Sequence, residues 1–227
     1  MQFDQRWPPL RSAETIRSIA IVTACVLAVA IAGRYAAALL PAVAGGIVLL
    51  IVMSIILYMI GYLFAVGYKL NPQPGLEGVV PISMTGRDAV VITVVVTAAP
   101  AGLLALTALA AADGIPTGGG ASVAFLLGST TAIATMLATL YVIPVMIAVR
   151  LRGRSFRDAL LLSESRDVLR TTDYLGSWAI GFAAVALAGW FGSITARSLG
   201  IVGVLSAVVA AYLLIVGVRS LAIDPNN

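Results

Sequence analysis

The sequence contains no histidine and a single cysteine, Cys25, which lies in an apolar run. A disulfide framework and a Cys/His metal site are thereby excluded. Cys25 is expected to be a small packing residue. Charge is scarce as well: Asp, Glu, Lys and Arg make up 11% of the 227 residues, against about 25% in an ordinary soluble domain. Apolar residues make up 60%, and the mean hydropathy is +1.04. A chain this short must expose a large part of its surface, so it cannot hide that much apolar area from water. A soluble enzyme, a disordered tail and a nucleic-acid binder are all poor readings, and nucleic acid is not an expected partner.

What the sequence does have is long apolar runs. A membrane helix needs about 20 mostly apolar residues to cross roughly 30 Å of hydrocarbon. Six segments qualify: 18–40, 43–68, 88–112, 121–149, 173–194 and 199–218. The runs are continuous rather than alternating, which excludes membrane strands. The expected fold class is all-α: a polytopic bundle of six transmembrane helices in one membrane domain over 1–227, with short cytoplasmic interfacial helices. Pro41 and Gly45-Gly46 mark the first turn, and Gly33-Arg34-Tyr35 is the alternative break.

The basic residues orient the bundle. Six spans put the N-terminus, the second-to-third and fourth-to-fifth loops, and the C-terminus on one side. That side holds 12 of the 14 basic residues, and the other holds only Arg34 and Arg197. The positive-inside rule then places both termini in the cytoplasm, with the plasma membrane as the expected location. A competing reading makes 1–32 a signal peptide, with an A-x-A-like site at Ala30-Ile31-Ala32.

Two cytoplasmic segments are longer than a turn. The stretch 71–85 carries Pro72, Pro74 and Pro81 and is expected to be irregular. The stretch 151–172 is the most charged part of the chain. Within it, Ser155-Phe156-Arg157-Asp158 has the spacing of a capping box. The apolar residues after it scatter around a helical wheel, so two short helices broken near 163–165 are expected. Thr85-Gly86-Arg87-Asp88 has the same spacing and predicts the start of the third span. Asp173 marks the start of the fifth, where a carboxylate favours the helix dipole. The pairs Lys69/Asp88 and Arg150/Asp173, 19 and 23 residues apart, hint at parallel repeats.

Several of these motifs occur in a recognisable order. Tyr58-Met59-Ile60-Gly61-Tyr62-Leu63 leads into the proline-bearing segment, then Gly86-Arg87-Asp88-Ala89 and Pro100. Later come Tyr141-Val142-Ile143-Pro144, Arg150 to Ser155-Phe156, and Asp173-Tyr174-Leu175 with Trp178. This order resembles the archaeal polytopic membrane protein family designated domain of unknown function 4013, over roughly residues 54–188. The resemblance implies a membrane fold and an archaeal source. It carries over no catalytic residue.

Ionisable groups deep in a bilayer are costly and usually functional. The deep parts of these six spans have none. Proton relays, charged-substrate clamps, intramembrane metalloproteases and Ser–Lys or Ser–His hydrolases are disfavoured, since each needs such a group at depth. No enzyme activity, metal or cofactor is called for.

The remaining polar candidates are hydroxyls and surface charges. Thr131, Thr135 and Thr139 share one helix face beside Gly128, as a polar seam or as ordinary helix packing. Pro100 and Pro144 are expected to kink the third and fourth spans. Ala184/Ala188/Gly192 and Gly203/Ala207/Ala211 are small-residue stripes, predicting a close hairpin of the last two spans. At the outer rim, Asp113 is expected to pair with Arg34 or Arg197. On the cytoplasmic side, Arg150, Arg152, Arg154 and Arg157 form a cluster for lipid or partner contact, or solely an orientation signal. Asp158, Glu164 and Asp167 neutralise part of it.

Two functional classes follow. One is a non-catalytic accessory or scaffold component whose partners are membrane lipids, anionic ones among them, and other membrane proteins. The other is a small permease or channel-like protein for a neutral or weakly polar solute.

Overall fold

The structure is a computed structural model, which describes residues 13–39, 43–70, 82–112, 119–151, 154–161, 166–198 and 200–221. Eight helices account for nearly all of them: α1 (Ala13–Leu39), α2 (Val43–Leu70), α3 (Ile82–Ala112), α4 (Gly119–Leu151), α5 (Phe156–Leu161), α6 (Arg166–Leu169), α7 (Thr172–Arg197) and α8 (Ile201–Leu221). Among the described residues there is no strand. Six of the helices are long and apolar enough to cross a membrane, as expected. The chain thus fits a multi-pass membrane protein with an all-helical fold.

The helix boundaries sharpen the sequence reading. Helix α1 runs unbroken through Gly33, Arg34 and Tyr35, so the alternative break at these residues does not occur. The predicted cap at Thr85 is not one. Helix α3 already begins at Ile82, which leaves Thr85-Gly86-Arg87-Asp88 inside it. Gly86 serves packing instead. A Cβ on it would come within 3.1 Å of the Gly61 carbonyl oxygen, and a Cβ on Gly61 within 2.9 Å of the Gly86 oxygen. Helices α2 and α3 cross here, backbone on backbone, as small residues permit in membranes. Pro100 and Pro144 lie inside α3 and α4, and both helices continue through them.

By contacts the chain divides into two compact units, Met1–Val90 with Arg166–Asn227, and Val91–Ser165. In the first unit α1 pairs with α2 and α7 with α8, while α1 also packs on α7 and α8, and α2 on α8. The four long helices form a closed bundle. Its interior is built from small side chains: Ala184 and Ala188 on α7, and Gly203, Ser206, Ala207, Ala210 and Ala211 on α8, are buried. Leu63, Phe64 and Ile215 are buried, but many large apolar side chains point outward, with Leu50 69% and Ile201 81% exposed. A protein in water places these the other way round. In lipid there is no hydrophobic drive between helices, so close packing of small residues decides the interfaces.

The α7–α8 hairpin is closed by local chemistry. The Ser198 N–H donates to the Ile194 carbonyl at 2.8 Å. Gly200 takes φ +145°, a conformation that favours glycine. The buried Thr195 hydroxyl meets two carbonyl oxygens, those of Phe191 at 3.1 Å and Gly203 at 3.2 Å. It thus bonds the end of α7 to the start of α8. At the other end of the hairpin the backbones nearly touch. A Cβ on Gly181 would lie 2.8 Å from the Gly217 oxygen, and one on Gly217 2.9 Å from the Gly181 oxygen. A Cβ on Gly67 of α2 would lie 2.9 Å from the Val218 Cγ1 side-chain atom of α8.

The second unit holds the C-terminal part of α3, with α4 and α5. Gly128 of α4 lies 3.9 Å, measured from a Cβ position, from the Thr107 methyl of α3. Helix α5 packs against α4 and buries Ala159.

Candidate functional site

The basic segment follows the end of α4. Arg150 sits in the last turn of that helix. Its Nη1 donates to the Arg154 carbonyl oxygen at 2.8 Å. A cation near a helix C-terminus is favoured by the dipole, and this bond also curls the chain back under α4. The residue after Arg154, Ser155, caps α5. The Asp158 N–H donates to Ser155 Oγ at 3.1 Å, while Ser155 N–H and Oγ–H donate to Asp158 Oδ2 at 3.2 and 2.6 Å. This is the reciprocal capping box that the spacing predicts.

The box sets the electrostatics. The hydrogen bond from the Ser155 hydroxyl holds the Asp158 carboxyl below its ordinary value, helped by the Ser155 backbone N–H and by the Arg154 and Arg157 cations. Asp158 therefore stays ionised and offsets part of the cluster, as expected. Arg154 and Arg157 are both exposed. Of the four arginines, Arg150 acts at the helix end, Arg154 directly precedes the capping box, Arg157 lies within it, and Arg152 lies outside the described residues. The two short helices fall on either side of 162–165, near the expected break.

The other predicted residues are more dispersed. Thr131 and Thr135 are exposed and Thr139 is half-buried. The Thr135 hydroxyl donates to the Thr131 carbonyl at 2.7 Å, so it is satisfied within its own helix. That is how a packing or lipid-facing threonine behaves. Arg34 and Arg197 are exposed on α1 and α7. Asp113, their expected partner, lies outside the described residues. Cys25 is half-buried and lines an apolar groove between α1 and α2 with Ser54 and Tyr58.

The sequence reading missed a set of buried hydroxyls in the four-helix unit. Thr15, Ser18 and Thr23 on α1, Ser177 on α7 and Ser220 on α8 are all buried. The Tyr62 hydroxyl of α2 donates to Ser18 Oγ at 3.3 Å. Thr23 Oγ1 and Ser220 Oγ have no hydrogen-bond partner among the described residues. The i, i+3, i+8 spacing of Thr15, Ser18 and Thr23 was the available signal, because it puts all three on one face of α1.

No known protein family, curated protein or solved structure matches this chain.

Proposed function

We propose that this chain is a non-catalytic component of the plasma membrane, with both termini cytoplasmic, acting as an accessory or scaffold protein. It meets anionic lipid headgroups, and acidic surfaces of membrane partners, through the basic segment after α4. The observation that carries the reading is the exposure of Arg154, just before the hydrogen-bonded capping box, and of Arg157 within it. An arginine fork suits phosphate, and each basic residue near an anionic surface contributes about 1 kcal/mol. The distribution of basic residues, 12 against 2, supports the orientation. The lack of ionisable residues deep in the spans supports a non-catalytic and non-transporting role. The Thr135 back-bond removes the main support for a solute path along α4.

The test is retention of phosphatidylglycerol by the purified full chain in mixed micelles, measured by native mass spectrometry. Low salt is the right condition, because the Debye length is about 30 Å at 0.01 M. Arg154→Gln with Arg157→Gln should weaken retention by about ten-fold or more, since two bases contribute about 2 kcal/mol before the offset by Asp158. Unchanged retention would reduce the cluster to an orientation signal.

A further inference from the structure

The four-helix unit is tight at one end and open at the other. Near Gly181 and Gly217 the backbones meet, and Gly67 lies against the Val218 side chain. Toward the end that carries Arg34, α1, α2, α7 and α8 part around a cavity of about 580 Å³. Its walls include Ala30, Gly33, Met59, Gly189 and Gly192, and its one charged lining residue is Arg34. Gly192 was expected to pack the hairpin and lines this space instead. A Cβ added to Gly33, Gly189 or Gly192 would meet nothing within 4 Å. These glycines allow no close helix contact of the kind seen at Gly181; they leave room.

We infer that this cavity binds one anionic phospholipid, with the phosphate on the Arg34 guanidinium and an acyl chain along the glycine-lined wall. The length of the cavity and its single cation favour a lipid. From Val185 to Ala196 the cavity follows α7 for eleven residues, about 16 Å at 1.5 Å per residue. That is close to one leaflet, half of the roughly 30 Å hydrocarbon core. The charge argues for the headgroup. Arg34 has no hydrogen-bond or ion-pair partner among the described residues, and its five donors can take phosphate bidentately. Arg197, next to the lining residue Ala196, adds a second cation at that end of α7. An acyl chain gains little by leaving lipid for an apolar cavity, so selectivity must come from the headgroup.

This inference rests on the six-span reading and not on which face is cytoplasmic. It concerns the end of the four-helix unit that carries Arg34. The test reconstitutes the full chain in phosphatidylcholine vesicles and compares the immobilised fractions of spin-labelled phosphatidylglycerol and phosphatidylcholine. The wild type should prefer phosphatidylglycerol by about five-fold per contributing arginine. Arg34→Gln should remove about five-fold of that preference and leave the immobilised phosphatidylcholine unchanged. Gly189→Leu with Gly192→Leu should fill the open wall and reduce the immobilised fraction of both lipids at unchanged helix content. Arg154→Gln with Arg157→Gln reads the cytoplasmic segment separately. If the preference vanishes in that variant and survives Arg34→Gln, the cavity site is overturned while the proposed function stands. If both leucines leave immobilised lipid unchanged, or change only the oligomeric state, the cavity does not hold a lipid.

Discussion

Replacing Gly181 by alanine perturbs the closed end of the four-helix unit with a single methyl group. Its Cβ would lie 2.8 Å from the Gly217 carbonyl oxygen and 2.7 Å from Leu221 Cγ. The Leu221 side chain can rotate away. The carbonyl belongs to the backbone of α8, so the two helices must move apart. Overpacking of this kind costs about 1–3 kcal/mol. Alanine in place of glycine inside a helix returns up to about 1 kcal/mol. Gly176, on the same helix, is the control, because nothing lies within 4 Å of a Cβ added there. Gly176→Ala should therefore be neutral or slightly stabilising, and Gly181→Ala should be less stable than it by about 1–3 kcal/mol. Unfolding from bicelles with SDS, followed by Trp178 and Trp190 fluorescence, measures the difference. Gly217→Ala should behave like Gly181→Ala, and the double variant should cost less than the sum, because either change already separates the helices. Equal stability of Gly181→Ala and Gly176→Ala would refute the backbone contact between α7 and α8.

Thr195→Val should destabilise the α7–α8 turn by about 0.5–1.5 kcal/mol, since it removes a buried hydrogen bond; the same SDS titration reads it, and no change would mean that the hydroxyl does not hold the turn. Reporter fusions at residue 160 and at both termini should be cytoplasmic and a fusion at residue 197 external; a cytoplasmic reporter at 197 would break the span count. The Asp158 carboxyl is held below its ordinary value of 3.8 chiefly by the Ser155 hydroxyl. A depressed carboxyl stabilises the fold above its unfolded pKa, so the capping box should persist above about pH 4 and be lost as pH falls through the lower folded value. Ser155→Ala should bring the Asp158 titration, followed by carboxyl NMR, back toward 3.8, and an unmoved titration would show that the hydroxyl is not the cause.

The six spans were legible because apolar runs of membrane length are a property of the local sequence. The capping box at Ser155 and Asp158 was legible for the same reason, as its partners are three residues apart. The small-residue stripes correctly marked α7 and α8 as close neighbours, because spacing of four keeps one face narrow. What the stripes could not tell was where they serve contact and where they leave space. Gly181 and Gly192 both lie on α7, yet one touches a backbone and the other lines a cavity. That difference depends on the angle at which the helices part, which no local pattern encodes. The Gly61–Gly86 crossing was hidden for a similar reason, since its partners belong to different helices. The cap expected at Thr85 failed because an isolated T-x-x-D match does not stop a helix from beginning a turn earlier. Of the candidate site, the geometry around Arg150, Ser155 and Asp158 could be read locally. The hydroxyls of α1 could not be read locally, because Thr15, Ser18 and Thr23 are buried only by the packing of other helices against α1.

The claim that this protein holds lipids and partners rather than passing a solute is tested most directly by flux. Full-length protein reconstituted in proteoliposomes should leave the permeability to small neutral solutes, such as glycerol and urea, equal to that of protein-free vesicles of the same lipid. A protein-dependent flux that falls in Thr131→Val with Thr135→Val would contradict the account and establish the α4 face as a path.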